Sequence, residues 1–358
     1  MNGNTLGVMN AASNAAPDAP GNGRAPTIRD VARVAGVSAS AVSKVLRDAY
    51  GVSDDMRAKV TFAAQMLGYR PKTAARALRG RSYSIGVLTP GLGPFPTQIA
   101  EEINRHFAGS SYRTIIAIYG GDEHDETEGL ESMLDRNVDG VILITPHIAV
   151  ERLERFAASL PMVLVSRNGR GAHFDSVTDD GFAGAEAMVG HLAGLGHRRI
   201  AYISQSDQGL EPPYVLSSAS REEGYAHAMA DRGLAPWVVR ASYSEDGGYG
   251  AACALLDADE PPTAIFAGAD VAAFGVMRAA YERHVAVPAE LSVAGYDNVF
   301  ASGLHGVDLT TVDQASVGMG DIAARLLAER LDGRTEPKYE VVAPKLVVRG
   351  TSVPPRVE

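Results

Sequence analysis

From residue 84 onward the chain alternates short, continuous apolar runs with longer amphipathic stretches, and that alternation leaves few folds open. The runs are Ile85-Gly86-Val87-Leu88, Thr114–Ile118, Val141–Ile144, Met162–Val165, Ile200–Ile203, Ala264–Phe266 and Val293–Tyr296. Between them lie stretches of helical length at 97–108, 124–135, 182–194, 219–232, 270–284 and 315–331. Strands that are apolar on both faces and joined by helical crossovers predict parallel sheets covered on both sides. The roughly 270 residues available suit two such α/β lobes, and sheets of this kind bind ligands at the carboxyl ends of their strands. Thr89, Ser166, Asp179, Asp180, Asp270 and Asp297 leave those ends.

Residues 27–68 read differently, as three short helices. Thr27 with Asp30 three residues later has the pattern of a helix N-cap, and Ile28, Val31, Ala32 and Ala35 supply an apolar stripe. Gly36 ends that helix and Ser38 caps the next, in which Val42, Val45 and Leu46 face the core and Ala39, Ser40, Ser43 and Lys44 point outward. The third helix starts at Ser53, runs through Val60, Ala64 and Leu67, and stops at Gly68 before Pro71. Residues 1–26 are Asn, Ala, Gly and Pro with few large apolar side chains, so a disordered tail is expected.

Charge divides the chain at the same place. Residues 24–82 hold twelve Arg and Lys against four Asp, a net of +8, whereas residues 83–358 carry −17 and the tail −1. A basic head on an acidic body is the outline of a nucleic-acid reader joined to a second module, although a solvated basic face would give the same count. The single cysteine, Cys253, cannot form an internal disulfide, and the amino-terminal segment has no apolar signal-like run, so a cytoplasmic setting is expected. No apolar run approaches the roughly 18 residues that cross a bilayer. Enzyme signatures are missing: there is no Gly-x-Ser-x-Gly, Walker loop or His-Glu-x-x-His, and Gly91-x-Gly93 is cut short by Pro94. The nine His residues show no metal-ligand spacing. A non-enzyme without metal or cofactor is expected, with His197 and Cys253 in structural roles.

The first two helices, joined through Ala35-Gly36-Val37-Ser38, have the spacing of a helix-turn-helix, whose second helix enters the major groove. Together with Thr27-Ile28-Arg29-Asp30-Val31-Ala32, Val42-Ser43-Lys44-Val45-Leu46, Gly68-Tyr69-Arg70-Pro71 and Ala74-Ala75-Arg76-Ala77-Leu78-Arg79, this head resembles that of the LacI/GalR (lactose-repressor) family. The resemblance continues through Leu195-Gly196-His197-Arg198-Arg199-Ile200-Ala201, Arg221 with Gly224-Tyr225, residues 263–275, Gly295-Tyr296-Asp297-Asn298 and Leu309-Thr310-Thr311-Val312-Asp313-Gln314.

The resemblance implies an α/β protein with a three-helix helix-turn-helix head, a hinge helix and a two-lobed, periplasmic-binding-protein-like (type I) body with parallel sheets. The expected limits are a tail at 1–26, a head at 27–70, a hinge at 71–82 and a body at 83–358. Within the body, an N-lobe of about 83–192 and 316–337 and a C-lobe of about 193–315 and 338–358 are expected. It further implies a homodimer on a pseudopalindromic double-stranded operator. Ala39, Ser40 and Lys44 would read base edges, with Ala41 beside them and Thr27, Ser38, Ser43, Ser53 and Tyr69 near phosphates or in the head's packing. Ala75 and Leu78 would lie in the hinge, Leu78 wedged into the minor groove. Lys44 stands where the family more often has Arg, Ala41 where Thr is common and Lys72 where Asn is common. An ammonium lacks the fixed fork of a guanidinium, so base discrimination at Lys44 is expected to be softer.

For the effector, the resemblance points to Arg221 and Asp297 facing the ligand, where a guanidinium and a carboxylate suit vicinal hydroxyls or a base edge. Asp180, Asp270 and Arg167 are further candidates, with Phe95, Phe266 and Tyr243 as stacking walls. Ala269 replaces the family's usual Asn. The reading that results is a repressor of carbohydrate-use genes released by a sugar-like inducer. A regulator with a purine-type corepressor is the alternative, and a solute-binding protein without DNA readout is a third reading that leaves the +8 head unexplained. No leucine heptads follow residue 332, so a dimer is expected rather than a tetramer.

Overall fold

Two separate sheets organise the body of the protein in the computed structural model, which describes residues 25–46, 50–69, 81–120, 123–205 and 215–356. Most of the expected tail, and the hinge positions Ala75 and Leu78, lie outside the described residues. By its contacts the chain forms two units that meet between Arg81 and Ser82.

In the head, α1 (Ile28–Ala35), α2 (Ala39–Val45) and α3 (Asp54–Met66) form where their caps dictate. The Thr27 hydroxyl donates to the Asp30 carboxylate at 2.6 Å, and that carboxylate accepts the Thr27 N–H at 2.8 Å. Gly36 turns the chain at φ 67°, in the left-handed region that glycine adopts without strain. Ser38 then caps α2 by accepting from the Ala41 N–H at 3.1 Å, and Ser53 caps α3 through the Met56 N–H at 3.3 Å. Val31, Val42 and Val60 have no exposure, and Ala32, Val45 and Ala63 complete a small core.

The first sheet of the body has the order β13-β6-β4-β3-β1-β2, with β1 Ser84–Thr89, β2 Arg113–Ile118, β3 Gly140–Ile144, β4 Met162–Val165, β6 Asp175–Asp179 and β13 Tyr339–Val342. All its pairings are parallel. Strand alternation divides its apolar residues between two cores. Val87, Ile142 and Val163 pack against α4 (Pro94–His106) and α11 (Ser316–Leu331), whereas Leu88, Leu143 and Leu164 pack against α5 (Glu123–Asp135) and α6 (Val150–Ala157).

The second sheet, β11-β10-β7-β9, is also parallel and comprises β7 Ile200–Gln205, β9 Trp237–Ala241, β10 Ala264–Ala267 and β11 Ser292–Ala294. One face holds α9 (Glu245–Leu256) and α10 (Asp270–Glu282), and the other α7 (Gly181–Gly194) and α8 (Ser217–Ala230). Two short antiparallel pairs complete the body: β5 (Arg167–Asn168) with β8 (Val215–Leu216), and β12 (Thr311–Asp313) with β14 (Lys345–Val347). His197 is structural, its imidazole lying 2.9 Å from Thr263 Oγ1, 3.0 Å from Ser292 Oγ and 2.9 Å from the Val353 carbonyl.

The lobe limits differ from the expected ones. The chain crosses to the second lobe directly after β6, because Met188, Val189 and Leu192 of α7 pack into the second-sheet core. Tyr339–Val342 returns to the first sheet, pairing from Tyr339 with Ser176 to Val342 with Asp179. Hydrophobic pattern marks a segment as strand or helix but does not say which sheet it joins. Three strands carry little of the expected pattern: Asp-Ser-Val-Thr-Asp of β6 is wholly buried yet mostly polar, and β9 and β13 are only half-buried.

Helices α9 and α10 approach closely through glycine. A methyl on Gly248 would run into the Ala272 carbonyl oxygen, whereas nothing lies within 4 Å of the corresponding position at Gly250 on the same helix. Gly248→Ala is therefore expected to destabilise the protein by about 1–3 kcal/mol in thermal denaturation. Gly250→Ala should leave stability unchanged or raise it by up to about 1 kcal/mol.

Candidate DNA-reading face and effector cleft

In the head, Ser40 and Lys44 are exposed one helical turn apart on α2, with Ser43 and Ala41 half-buried. The hydroxyls of Ser38 and Ser40 lie 2.8 Å apart. Ala39 faces outward less than expected, since its methyl packs partly against the head core, as does Tyr69. Thr27 and Ser53 are engaged as caps. The outward face of α2 is thus small and polar, with one cation, and lets the helix backbone come close to a surface.

In the body, the polar centre lies where the chain crosses between the lobes. Arg221 of α8 is buried, and its guanidinium donates to the Gly268 carbonyl at 2.7 Å, to Ser217 Oγ at 2.8 Å and to Gln314 Oε1 at 3.3 Å. It covers the Tyr296 ring, 4.1 Å from the centroid, and stands 4.0 Å from Asp297 Oδ1. Asp297 follows β11 with φ 123°, a left-handed conformation unusual for a non-glycine residue, and its N–H donates to the Val312 carbonyl at 2.9 Å. The Gln314 amide donates to the same Asp297 oxygen. Gln314 therefore links guanidinium and carboxylate at the crossover between β12 and α11.

Asp179, the last residue of β6, faces this group and accepts the Tyr296 hydroxyl at 2.5 Å, while its Oδ1 is buried without a partner. Burial opposes the charge on Arg221, but Asp179, the neighbouring tyrosines and Asp297 outweigh it and raise its pKa. Burial drives the Asp297 carboxyl well above the usual carboxylate range; Arg221 opposes this, and Asp270 and Asp179 add to it. The centre therefore combines one fixed cation with two acids ready to exchange hydrogen bonds.

The other expected effector residues have different placements. Asp180, next to Asp179, is exposed and caps α7 through the Ala183 N–H at 3.0 Å. Asp270 is buried with both oxygens engaged, accepting from Thr311 Oγ1 at 2.5 Å, Ser302 Oγ at 2.6 Å and the Val299 N–H at 2.9 Å. It fastens the loop after Asp297, and burial raises its pKa to about 6. Phe266 is no wall: it has no exposure and packs 5.0 Å from Tyr202 and 6.5 Å from Tyr296, between centroids. Phe95 is half-buried against the first-sheet core, and the Tyr243 hydroxyl lies 3.4 Å from that of Tyr202. Arg167 is buried and donates to the carbonyls of Pro146 at 3.0 Å and Ile148 at 2.6 Å.

Sequence reasoning passed over two residues. Asp179 stood beside Asp180 at a strand end, and only the backbone direction there separates the inward acid from the capping one. Glu126 sat in a helix rich in acids, yet it is buried and accepts the His147 N–H at 2.7 Å. Burial raises its pKa to about 7, with Arg167 opposing. The folded protein thus retains a proton that the unfolded chain sheds near 4.5, and this contribution to stability declines as pH rises through about 7. Glu126→Gln is expected to match the parent at about pH 4 and to exceed its stability at pH 8 by about 3 kcal/mol in denaturant titrations. An equal gain at both pH values would assign the effect to packing.

Comparison with known proteins follows the same division. The family described as "Bacterial regulatory proteins, lacI family" matches residues 27–72, and a "Periplasmic binding protein-like domain" matches residues 189–352. The chain is similar to the ribose operon repressor of Escherichia coli (strain K12), 30% identical over 335 residues that cover 91% of this chain and 99% of that one. It is similar to the HTH-type transcriptional repressor PurR of Glaesserella parasuis serovar 5 (strain SH0165), 29% identical over 90% of this chain and 94% of the relative. Its structure resembles that of the Lac repressor dimer bound to operator and the anti-inducer ONPF, with a TM-score of 0.76 and 26% identity over 92% of this chain and all of the other.

Proposed function

The chain belongs to the lacI family of bacterial regulatory proteins, a family of DNA-binding regulators, and we propose that a small sugar is the ligand that releases it from its operator. The observation that carries the choice of ligand is the Arg221 guanidinium set between Asp297 and Asp179. An acidic side chain exchanges hydrogen bonds with hydroxyls, accepting when ionised and also donating when protonated, and a guanidinium donates to them, so the trio suits the paired donors and acceptors of a polyol. A purine would in addition need a planar slot, and among the described residues Phe266, Tyr202 and Tyr225 are packed against one another without exposure. The likeness to a ribose operon repressor supports the sugar; the likeness to PurR keeps a purine in the test.

In this reading the protein is a binding protein without a catalytic role and acts on chromosomal DNA in the cytoplasm. Two copies hold their heads at the spacing of a pseudopalindromic operator. Exposed apolar residues suit the contact between copies: Ile116 and Ile118 on the outermost strand β2, and Phe300 and Tyr281 on the second lobe. Ser40 and Lys44 read base edges in the major groove.

A thermal-shift and calorimetric screen of pentoses, hexoses and disaccharides beside hypoxanthine and guanine tests the ligand. A sugar should stabilise the protein saturably, by about 2.7 kcal/mol at one hundred times its dissociation constant. Stabilisation by the purines alone would establish the corepressor reading instead. Arg221→Ala should abolish that response; an undiminished response would move the pocket elsewhere. In gel-shift titrations Lys44→Ala should weaken specific binding by about 1–3 kcal/mol and relax base preference at one position of each half-site. Unchanged preference would remove Lys44 from base reading.

A further inference from the structure

The covalent path from head to body enters the body at Ser82, and one side chain grips that entry point. Asp139, the residue before β3, accepts the Ser82 N–H at 2.7 Å and the Ser82 hydroxyl at 3.0 Å on Oδ1, and the Tyr83 N–H at 2.7 Å on Oδ2. Its own N–H donates to the Ser84 carbonyl at 2.8 Å, so the gripping residue is itself held in register with β1. Ser82 is buried, and its oxygen in turn accepts the Ser84 N–H at 3.1 Å. Between them Tyr83 adopts φ 56°, a left-handed backbone that is unfavourable for a non-glycine residue. Its carbonyl accepts the Arg113 N–H at 2.9 Å.

This is more than a strand needs in order to begin. β1 is already paired on both sides, from Ser84 with Arg113 and from Ile85 with Gly140, so the grip on Ser82 and Tyr83 adds nothing to the sheet's own ladder. What it fixes is the backbone at Ser82 and Tyr83, where the chain enters the body. Asp139 is well placed to do so because it begins β3, a central strand whose five residues Gly140–Ile144 are all buried. The far end of β3 leads to Pro146 and Ile148, whose carbonyls hold Arg167, and Arg167 pairs through its backbone with Leu216 directly before α8, the helix of Arg221. A strand so buried is close-packed on both faces and transmits strain along its length.

We propose that Asp139 is a positioning residue that sets the exit of the linking segment and carries a displacement at the effector end of the first lobe to the DNA-binding head. The proposal rests on the reading of the chain as an operator-binding regulator. Asp139 touches neither DNA nor effector; it acts through Ser82 and Tyr83.

The test compares full-length Asp139→Ala and Asp139→Asn with a control, Val163→Ala, which weakens the same sheet away from the entry point. Each is titrated with a duplex enriched from random sequence by the parent protein and with unrelated duplex, and each is melted. Asp139→Ala should lower the ratio of specific to non-specific affinity at least tenfold, since the heads still bind DNA but are no longer held in place. Asp139→Asn keeps one acceptor oxygen and should fall between Ala and the parent; it carries the test if the Ala variant does not fold. Val163→Ala should melt earlier with its ratio unchanged. A parental ratio in both Asp139 variants, or an equal fall in Val163→Ala, would overturn the positioning role. Absence of any specific binding by the parent would overturn the regulator reading, and the Asp139 proposal with it.

Discussion

A guanidinium taken out of water costs several kcal/mol unless its surroundings meet it with acceptors and opposite charge, and the body of this protein is arranged around one that is so met. Arg221 donates to a carbonyl after β10, a serine one turn away on its own helix and a glutamine on a crossover between the lobes, while its Nε stays buried without a partner. Two of those partners lie far from Arg221 in the chain, so the buried charge ties α8 to the end of β10 and to one place where the lobes join. Asp270, a few residues after that carbonyl, holds the loop following Asp297 and β12 in position. The polar centre is thus not a cavity lined after the fact. It is part of what fixes the lobes' arrangement, and a ligand that exchanges hydrogen bonds with it acts on that arrangement directly.

Much of this was legible in the sequence. Six of the seven apolar runs became strands buried on both faces, which must be apolar throughout, and the seventh is the edge strand β2; the caps at Thr27, Ser38 and Ser53 formed because a side-chain oxygen there satisfies an N–H the helix leaves open. Arg221 and Asp297, expected from the family resemblance and not from periodicity, stand 4.0 Å apart in the body. What escaped was whatever depends on tertiary direction. β6 is polar in sequence yet buried, because Asp175 is met by Arg330 and Arg334 of a segment about 155 residues away. Asp179 and Asp180 are chemically alike, and only the turn from strand to helix decides that one faces Arg221 and the other caps α7. Phe266 looked like a wall because aromatic rings near strand ends often are; here three tyrosines fill the space around it.

The head and the body meet different physical demands. The head needs a shallow polar surface and gets it from short side chains on α2, at the expense of a core of only a few small residues. The body is built on two sheets whose central strands are apolar apart from β6, and Arg221, Asp297 and Gln314 gather beside a crossover between them. Communication between the two runs through a covalent entry point, Ser82, which the first lobe holds by the Asp139 carboxylate.

The central claim, that occupation of the Arg221 centre and occupation of the operator are alternatives of one equilibrium, is tested most directly by closing a thermodynamic cycle. Operator affinity is measured with and without the sugar that stabilises the protein, and sugar affinity with and without operator. The account predicts that each ligand weakens the other by the same factor, of the order of 5- to 150-fold. A sugar that binds free and operator-bound protein equally well would contradict it.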